Sequence, residues 1–149
     1  MRPSLYLDTS VISAYYDERE PEKKAQTQDF WKKLGDYQVF ISEITVRELG
    51  KTQDAQRKGH LLALIERFEV LGLTSAAEEL ADEYVKSLTI PEKYRDDALH
   101  LAIASVNGID ILVSWNFEHL VKRKTRLQAN LINALQGYKT IDIVAPLEL

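Results

Sequence analysis

Apolar positions in this chain follow two rhythms that alternate from one end to the other. Brief runs rich in Leu, Val, Ile, Tyr and Phe fall at residues 4–8 (SLYLD), 37–42 (YQVFIS), 69–73 (EVLGL), 110–114 (DILVS) and 140–144 (TIDIV). Their length and content predict strands. Between them the spacing is helical. Helices are predicted over 9–17, over 21–36 with Pro21 at the start and Gly35 near the end, and over 43–51 behind Ser42 as N-cap. Further helices follow at 54–68, where Leu61, Leu62, Leu64, Ile65 and Phe68 keep helical periodicity, at 75–88, and around 125–136. Residues 94–108 (YRDDALHLAIASVNG) are almost continuously apolar after Asp97, the pattern of a helix buried on most sides, with Gly108 as its stop.

Short strands alternating with helices imply crossover connections and therefore parallel pairing. The expected fold is α/β, a three-layer α/β/α arrangement with a central, mostly parallel sheet of four to five strands. Residues 1–149 are expected to form a single domain, since this length suits one hydrophobic core. In open parallel sheets, ligands bind beyond the carboxyl ends of the strands, where strand order reverses. Two of the predicted strands run into polar clusters at that end: LYLDTS at Asp8, and ILVSWN at Ser114 to Asn116.

Composition changes this picture little. Hydrophobic residues make up 45% and charged residues 28%, as in ordinary globular chains. The absence of cysteine excludes disulfides and thiolate metal sites and suits a reducing compartment. Asp8 interrupts the N-terminal apolar run too early for a signal peptide, and no apolar stretch approaches the ~20 residues of a membrane helix, so a cytoplasmic location is expected. The net charge of −4 supplies no basic field over the whole chain. Basic residues do cluster in VKRKTR, where Lys122, Arg123, Lys124 and Arg126 form either a solvated face or a backbone-binding patch.

The acids are more telling. Asp8 at the end of a hydrophobic strand is explained by helix capping alone. Glu48, within EITVRELGK, reads by itself as a surface residue, and Asp96 and Asp97 sit where a helix dipole favours acids. Together they mean more, because the end of the first strand, the helix after the second and the helix before the fourth can converge on one cleft. Two carboxylates ~4 Å apart repel by about 4 kcal/mol at an effective dielectric of 20. A domain stable by only ~5–15 kcal/mol does not hold three together without protons or a cation. An all-oxygen donor set selects a hard ion, Mg²⁺ or Mn²⁺, suited to phosphate chemistry.

The motifs YLDTSVIS, SEITVREL, DDALHLAIA and ILVSWNFEHL, in this order, make the chain resemble the PIN-domain ribonucleases, a family that includes the VapC-type toxins. The tail INALQGYKTIDIVAPLEL is similar to one subgroup of that family. The resemblance implies that Asp8, Glu48 and Asp97 bind Mg²⁺ or Mn²⁺ and cleave RNA phosphodiester bonds. It also implies a homodimer and, for a toxin of a type II toxin–antitoxin pair, a cognate antitoxin protein. One departure stands out: where many members carry a fourth acid, this chain has Asn116, which offers a neutral oxygen or an amide donor. Asp110 cannot replace it, being ~13 Å away along the strand, whereas Glu118 is nearer and is a candidate stand-in. The Asn also motivates an alternative, a catalytically silent module that binds RNA or protein. A phosphoacceptor receiver domain fits less well, since only one acid follows the first strand.

Supporting roles complete the reading. Ser10 and Ser114, with Thr9, are candidates to hydrogen-bond a metal-bound water or a phosphate, and Asp96 to back up Asp97. His100, three residues after Asp97 and four after Asp96, is expected to form a local His–Asp pair, and His119 to fix its loop. Trp115 is a candidate base-stacking surface, and Lys93, Arg95 and the basic cluster are candidates to hold the RNA backbone.

Overall fold

In the computed structural model, which describes residues 2–87 and 89–149, five strands form one sheet: β1 (Ser4–Leu7), β2 (Gln38–Ser42), β3 (Glu69–Leu71), β4 (Ile111–Val113) and β5 (Asp142–Val144). Their order is β3-β2-β1-β4-β5, and every neighbouring pair is parallel. The central strand follows from its sequence. Leu5, Tyr6 and Leu7 are fully buried on both faces, as a strand covered by helices on either side requires. The edge strand β3 is its opposite, with Glu69 exposed and Val70 half-exposed.

Helices flank the sheet and complete the three layers. α1 (Thr9–Ala14), α2 (Pro21–Trp31), α3 (Glu43–Gly50) and α4 (Ala55–Leu64) pack among themselves. So do α5 (Ser75–Lys86), α6 (Arg95–Val106) and α7 (Arg123–Leu135). Among the described residues, no helix is long and apolar enough to cross a membrane. As the near-continuous apolar run predicts, α6 is enclosed on all sides from Ala98 to Ser105. It ends where Gly108 adopts a left-handed backbone, φ 66°, that other residues take only with strain. A buried polar cluster ties this layer together: Tyr84 Oη lies 2.5 Å from Asn133 Oδ1 and 3.2 Å from Ser105 Oγ. Unmade, such bonds would each leave a buried polar group at a cost of about 1–3 kcal/mol.

Several predicted boundaries shift. The 21–36 helix breaks after Trp31, and a separate short 3₁₀ turn at 34–36 turns Leu34 into the core. The 54–68 helix stops at Leu64, and Ile65 and Phe68 reach the core from a turn. Apolar spacing predicts the burial of these residues but not the backbone that achieves it. The final helix begins earlier than expected, at Arg123. Leu88, the expected end of the 75–88 helix, lies outside the described residues.

With β1 central, strand order reverses beside it, since β2 and β3 lie to one side and β4 and β5 to the other. The chain therefore leaves β1 and β4 side by side. Register pairs Leu7 with Val113, and the Asp8 N–H donates to the Val113 carbonyl at 3.2 Å. The two polar clusters at these strand ends become neighbours.

Candidate active site

Asp8 sits where β1 gives way to α1. As a helix starter it behaves as expected, its Oδ1 accepting from the Val11 N–H at 3.3 Å. Capping does not exhaust it. The Ser10 hydroxyl donates to Oδ1 and the Ser114 hydroxyl to Oδ2, both at 2.6 Å, and the residue is only 3% exposed. Burial pushes its carboxyl pKa up, and His100 and the two hydroxyls pull it back only in part. Ser10 also accepts the Trp115 N–H at 2.9 Å, so one side chain joins the ends of both strands.

Asp97 enters from the first turn of α6. Its Oδ2 accepts from Asn116 Nδ2 at 3.0 Å. Burial, the negative charge of Asp8 and, more weakly, that of Glu48 hold its pKa up at about 6, against opposing contributions from His100 and Asn116. Burial comes first among these causes, and the neighbouring carboxylates add to it, so the negative charge here is only partly compensated.

Glu48 approaches from α3. Its Oε1 lies 2.7 Å from His100 Nε2 and accepts the Thr9 hydroxyl at 2.6 Å. Burial opposes its ionisation, but the hydrogen bond and charge of His100, followed by Thr9 and Arg47, outweigh it and bring the pKa below the usual range. His100 is buried, and its Nδ1 lies 2.6 Å from the Tyr6 hydroxyl, itself 2.6 Å from Ser42 Oγ, which caps α3. Burial disfavours the imidazolium, yet the Glu48 bond and the charges of Asp8, Glu48 and Asp97 together raise the His100 pKa. The expected pairing of His100 with Asp96 or Asp97 is therefore corrected. Asp96 turns outward to Arg47 at 3.0 Å, while the buried imidazole finds partners for both nitrogens across the sheet and on α3.

Asn116 is both a loop tie and a partner of Asp97. Its Oδ1 accepts the His119 N–H and its own N–H donates to Ser114 Oγ, each at 2.9 Å. Glu118 points outward, with 79% of its side chain exposed, 3.6 Å from His119 Nε2. His119 packs its ring on Tyr94 at 3.9 Å between centroids. Of the two readings open to Trp115, a base-stacking surface or a core residue beside a strand end, the structure shows the core one. The residue is 8% exposed and donates its indole N–H to Thr27 at 2.9 Å, because a large aromatic beside a strand end gains most by joining the core. Its exposed neighbour is Phe117, which the sequence reading passed over.

The basic candidates divide. Arg123 and Lys124 are exposed at the start of α7, with Lys122 partly so. Arg126 instead donates to the Ile143 carbonyl at 3.2 Å, and Arg95 pairs with Asp82 at 2.7 Å. Lys93 lies over the Tyr94 ring. Sequence reasoning also missed Tyr6, and it placed Ser42 as the cap of α3, which it is, without its bond to Tyr6. A signal existed for Tyr6: a hydroxyl in the middle of a buried strand must find a partner, and Tyr6 and Asp8 share a face by the two-residue repeat.

The donor set fits a hard divalent cation, since Asp8, Asp97 and Glu48 offer only carboxylate oxygens and Asp97 carries the mark of uncompensated negative charge. Among the described residues, no three acidic or histidine side chains close on a common point as an ion's ligands. Each carboxylate leans instead on a donor of its own: Asp8 on two serines, Asp97 on Asn116, Glu48 on His100 and Thr9.

Several solved structures share this architecture. VapBC2 from Rickettsia felis, bound to a DNA fragment from its promoter, aligns with a TM-score of 0.61 at 15% identity, covering 95% of this chain and 98% of that one. VapBC-1 from nontypeable Haemophilus influenzae gives 0.60 at 17% identity, over 96% and 98%. VapC20 of Mycobacterium tuberculosis, a sarcin–ricin loop cleaving toxin, gives 0.54 at 14% identity, over 92% and 98%. At such identities the likeness is one of fold. No curated protein matches the chain. The family model of the PIN domain matches residues 5–122, from the middle of β1 to the residue that opens α7, and so takes in Asp8, Glu48, Asp97 and Asn116. This chain belongs to the PIN domain family.

Proposed function

We propose that the protein is a metal-dependent endoribonuclease, the toxin of a type II toxin–antitoxin pair, with Asp8, Glu48 and Asp97 holding Mg²⁺ or Mn²⁺. The observation that carries this is geometric: hydrogen bonds run from Asp8 through Ser114 and Asn116 to Asp97, and from Thr9, next to Asp8, to Glu48, with no lysine or arginine salt-bridged to any of the three acids among the described residues. A bound divalent ion supplies a Lewis acid for a phosphoryl oxygen and makes a water nucleophilic near neutral pH. The chain's own residues supply the rest. Ser10 and Ser114 fix the Asp8 carboxylate, Asn116 orients Asp97, and His100 with Thr9 orients Glu48 beside them. The reaction is hydrolysis of a phosphodiester by in-line attack of water, leaving a 5′-phosphate. Arg123 and Lys124, exposed on α7, are the side chains available to the RNA backbone.

An antitoxin partner and a homodimer accompany this reading. Leu127, Leu131 and Leu135 form an exposed apolar row along α7, the kind of surface that marks a protein contact. The test is Mn²⁺-dependent cleavage of RNA by the protein and by Asp8→Asn and Asp97→Asn. Both variants are expected to fold and to lose cleavage, and retained cleavage in either removes these residues from the site. One observation favours the silent alternative: both polar ends of the Asn116 side chain are already engaged, one on the His119 N–H and one on Asp97. Calorimetric titration with Mg²⁺ and Mn²⁺ separates the two, and no binding up to millimolar concentrations supports the silent module.

A further inference from the structure

Beside the acid cluster, the N-terminal turn of α2 and the loop after β4 form an open groove of about 400 Å³, lined by Pro21, Lys23, Gln26, Trp115 and Phe117 together with Glu20 and Glu22. Phe117 is 53% exposed, although a large aromatic ring gains by burial. Its ring meets Trp115 edge-on, 6.1 Å between centroids at 61°. The mount is firm. Trp115 is fixed by its indole bond to Thr27 and its backbone bond to Ser10, and the Phe117 N–H donates to the Trp115 carbonyl at 3.0 Å. Phe117 also directly follows Asn116, whose amide touches Asp97, and consecutive Cα atoms lie only ~3.8 Å apart.

The chemistry of this groove selects its occupant. Lys23 is paired with Glu20 at 2.9 Å and lies over the Trp115 ring at 5.9 Å, and Glu22 also lines the groove, so its acids outnumber its one cation and it is poorly suited to a phosphate. It offers the exposed Phe117 ring, the apolar Pro21 and Trp115, and the Gln26 amide, a group that can both donate and accept. Its size suits one small planar group rather than the ~800 Å² face of a stable protein interface. A nucleobase meets these terms, since every base has a π-face to stack and none carries charge.

We infer that Phe117 is a base-stacking platform, and that this groove takes one unpaired nucleobase of the RNA whose neighbouring phosphodiester reaches Asp8 and Asp97. The substrate is therefore single-stranded at that position, because a base in a duplex does not present a free face. Gln26 contacts the base edge and Trp115 holds the platform from behind. This inference rests on the ribonuclease reading for the identity of the ligand.

The experiment uses a single-stranded RNA oligonucleotide carrying 2-aminopurine, whose fluorescence reports stacking on an aromatic ring. Binding is measured in Asp97→Asn protein, so that the probe stays intact. Adding Phe117→Ala is expected to weaken binding roughly 5- to 100-fold, the loss of one base–aromatic stack. Phe117→Trp retains binding, whereas Phe117→Leu, apolar but without a π-face, does not. In the otherwise native protein, Phe117→Ala raises KM for RNA cleavage by a similar factor and changes kcat little. Binding that is equal in all of these variants overturns the inference, as does full binding by Phe117→Leu, which identifies an apolar docking site for a protein segment. A protein that binds no RNA also overturns it. If the protein quenches the probe through Phe117 but cleaves no RNA, the nuclease reading fails and the base site stands. If it cleaves while Phe117→Ala is indistinguishable, the base site fails and the nuclease reading stands.

Discussion

β1 and β4 run side by side, and an aspartate stands at each end of the pair. At the start of the strands, Asp110 accepts from the Ser4 N–H at 2.8 Å and from Lys139 Nζ at 2.7 Å, and the Lys139 bond leads the causes that bring its pKa below the usual range. At the finish, Asp8 and Asp97 are more buried, face each other's charge, and have their pKa values raised. The same residue type is compensated at one end of the strand pair by a lysine the chain supplies. At the other it is left short of one. A fold that can place a lysine against Asp110 could place one against Asp97, so the deficit at the carboxyl end is specific to that end. It is the feature a divalent ion would meet.

The largest test of that contrast is catalytic. Asp8→Asn and Asp97→Asn are each expected to lower RNA cleavage by at least ~10²-fold, the scale of removing one preorganised contact to a reacting phosphate. Asp110→Asn should leave it within about twofold. Steady-state cleavage of a labelled oligonucleotide decides, and a comparable loss at Asp110 would erase the distinction between the two ends. Next in size is the ion itself. Mg²⁺ or Mn²⁺ at a hundred times its dissociation constant should stabilise the native protein by about 2–3 kcal/mol, through mass action on the folded state. The shift, read as Tm by calorimetry, should vanish in Asp97→Asn and persist in Asp110→Asn.

The third test reverses the usual sign of a mutation. Above pH 6 the ionised Asp97 is less stable in the folded chain than in the unfolded one, whose carboxylate titrates near 3.9. The folded state thus binds more protons between about pH 4 and 6, and this group's contribution falls as pH rises through that window. Without metal at pH 7.5, Asp97→Asn is expected to raise stability, by about 1–2 kcal/mol after allowing for partial solvent screening. Denaturant unfolding with and without a chelator measures it. Destabilisation by Asp97→Asn would mean that the carboxylate is already compensated.

This contrast is half legible in the sequence. Alternating apolar runs gave the sheet, because a buried parallel strand such as Leu5–Leu7 has to be apolar on both faces. They also gave the enclosed helix α6, and Asp8 could be placed because a charge ending such a run is conspicuous. What the pattern did not contain was pairing across the fold. His100 reads locally as a partner for Asp97 at helical spacing, yet it bonds Glu48 and Tyr6, residues 52 and 94 positions away. Trp115 and Phe117 are two positions apart in sequence, and only the packing of α2 through Thr27 decides which of them is buried. Helix ends failed for a related reason, since Ile65 and Phe68 reach the core equally well from a turn.

The smallest effect lies at the compensated end, and it fixes the sign of the comparison. Asp110 is about half exposed, so its bonds to Lys139 and Ser4 are screened by solvent and are worth no more than about 1 kcal/mol. Because its folded pKa is depressed, that contribution is present above the unfolded value near 3.9 and disappears as pH falls through the lower folded value. Asp110→Asn should therefore cost up to about 1 kcal/mol at pH 7.5 and almost nothing at pH 2–3. Removing the partner by Lys139→Met should reproduce most of the loss at pH 7.5. Aspartate-to-asparagine changes at the two ends of one strand pair would then move stability in opposite directions at neutral pH. If Asp110→Asn instead stabilises the protein, both ends carry the same excess of negative charge, and the acid cluster loses its claim to be a site made for a cation.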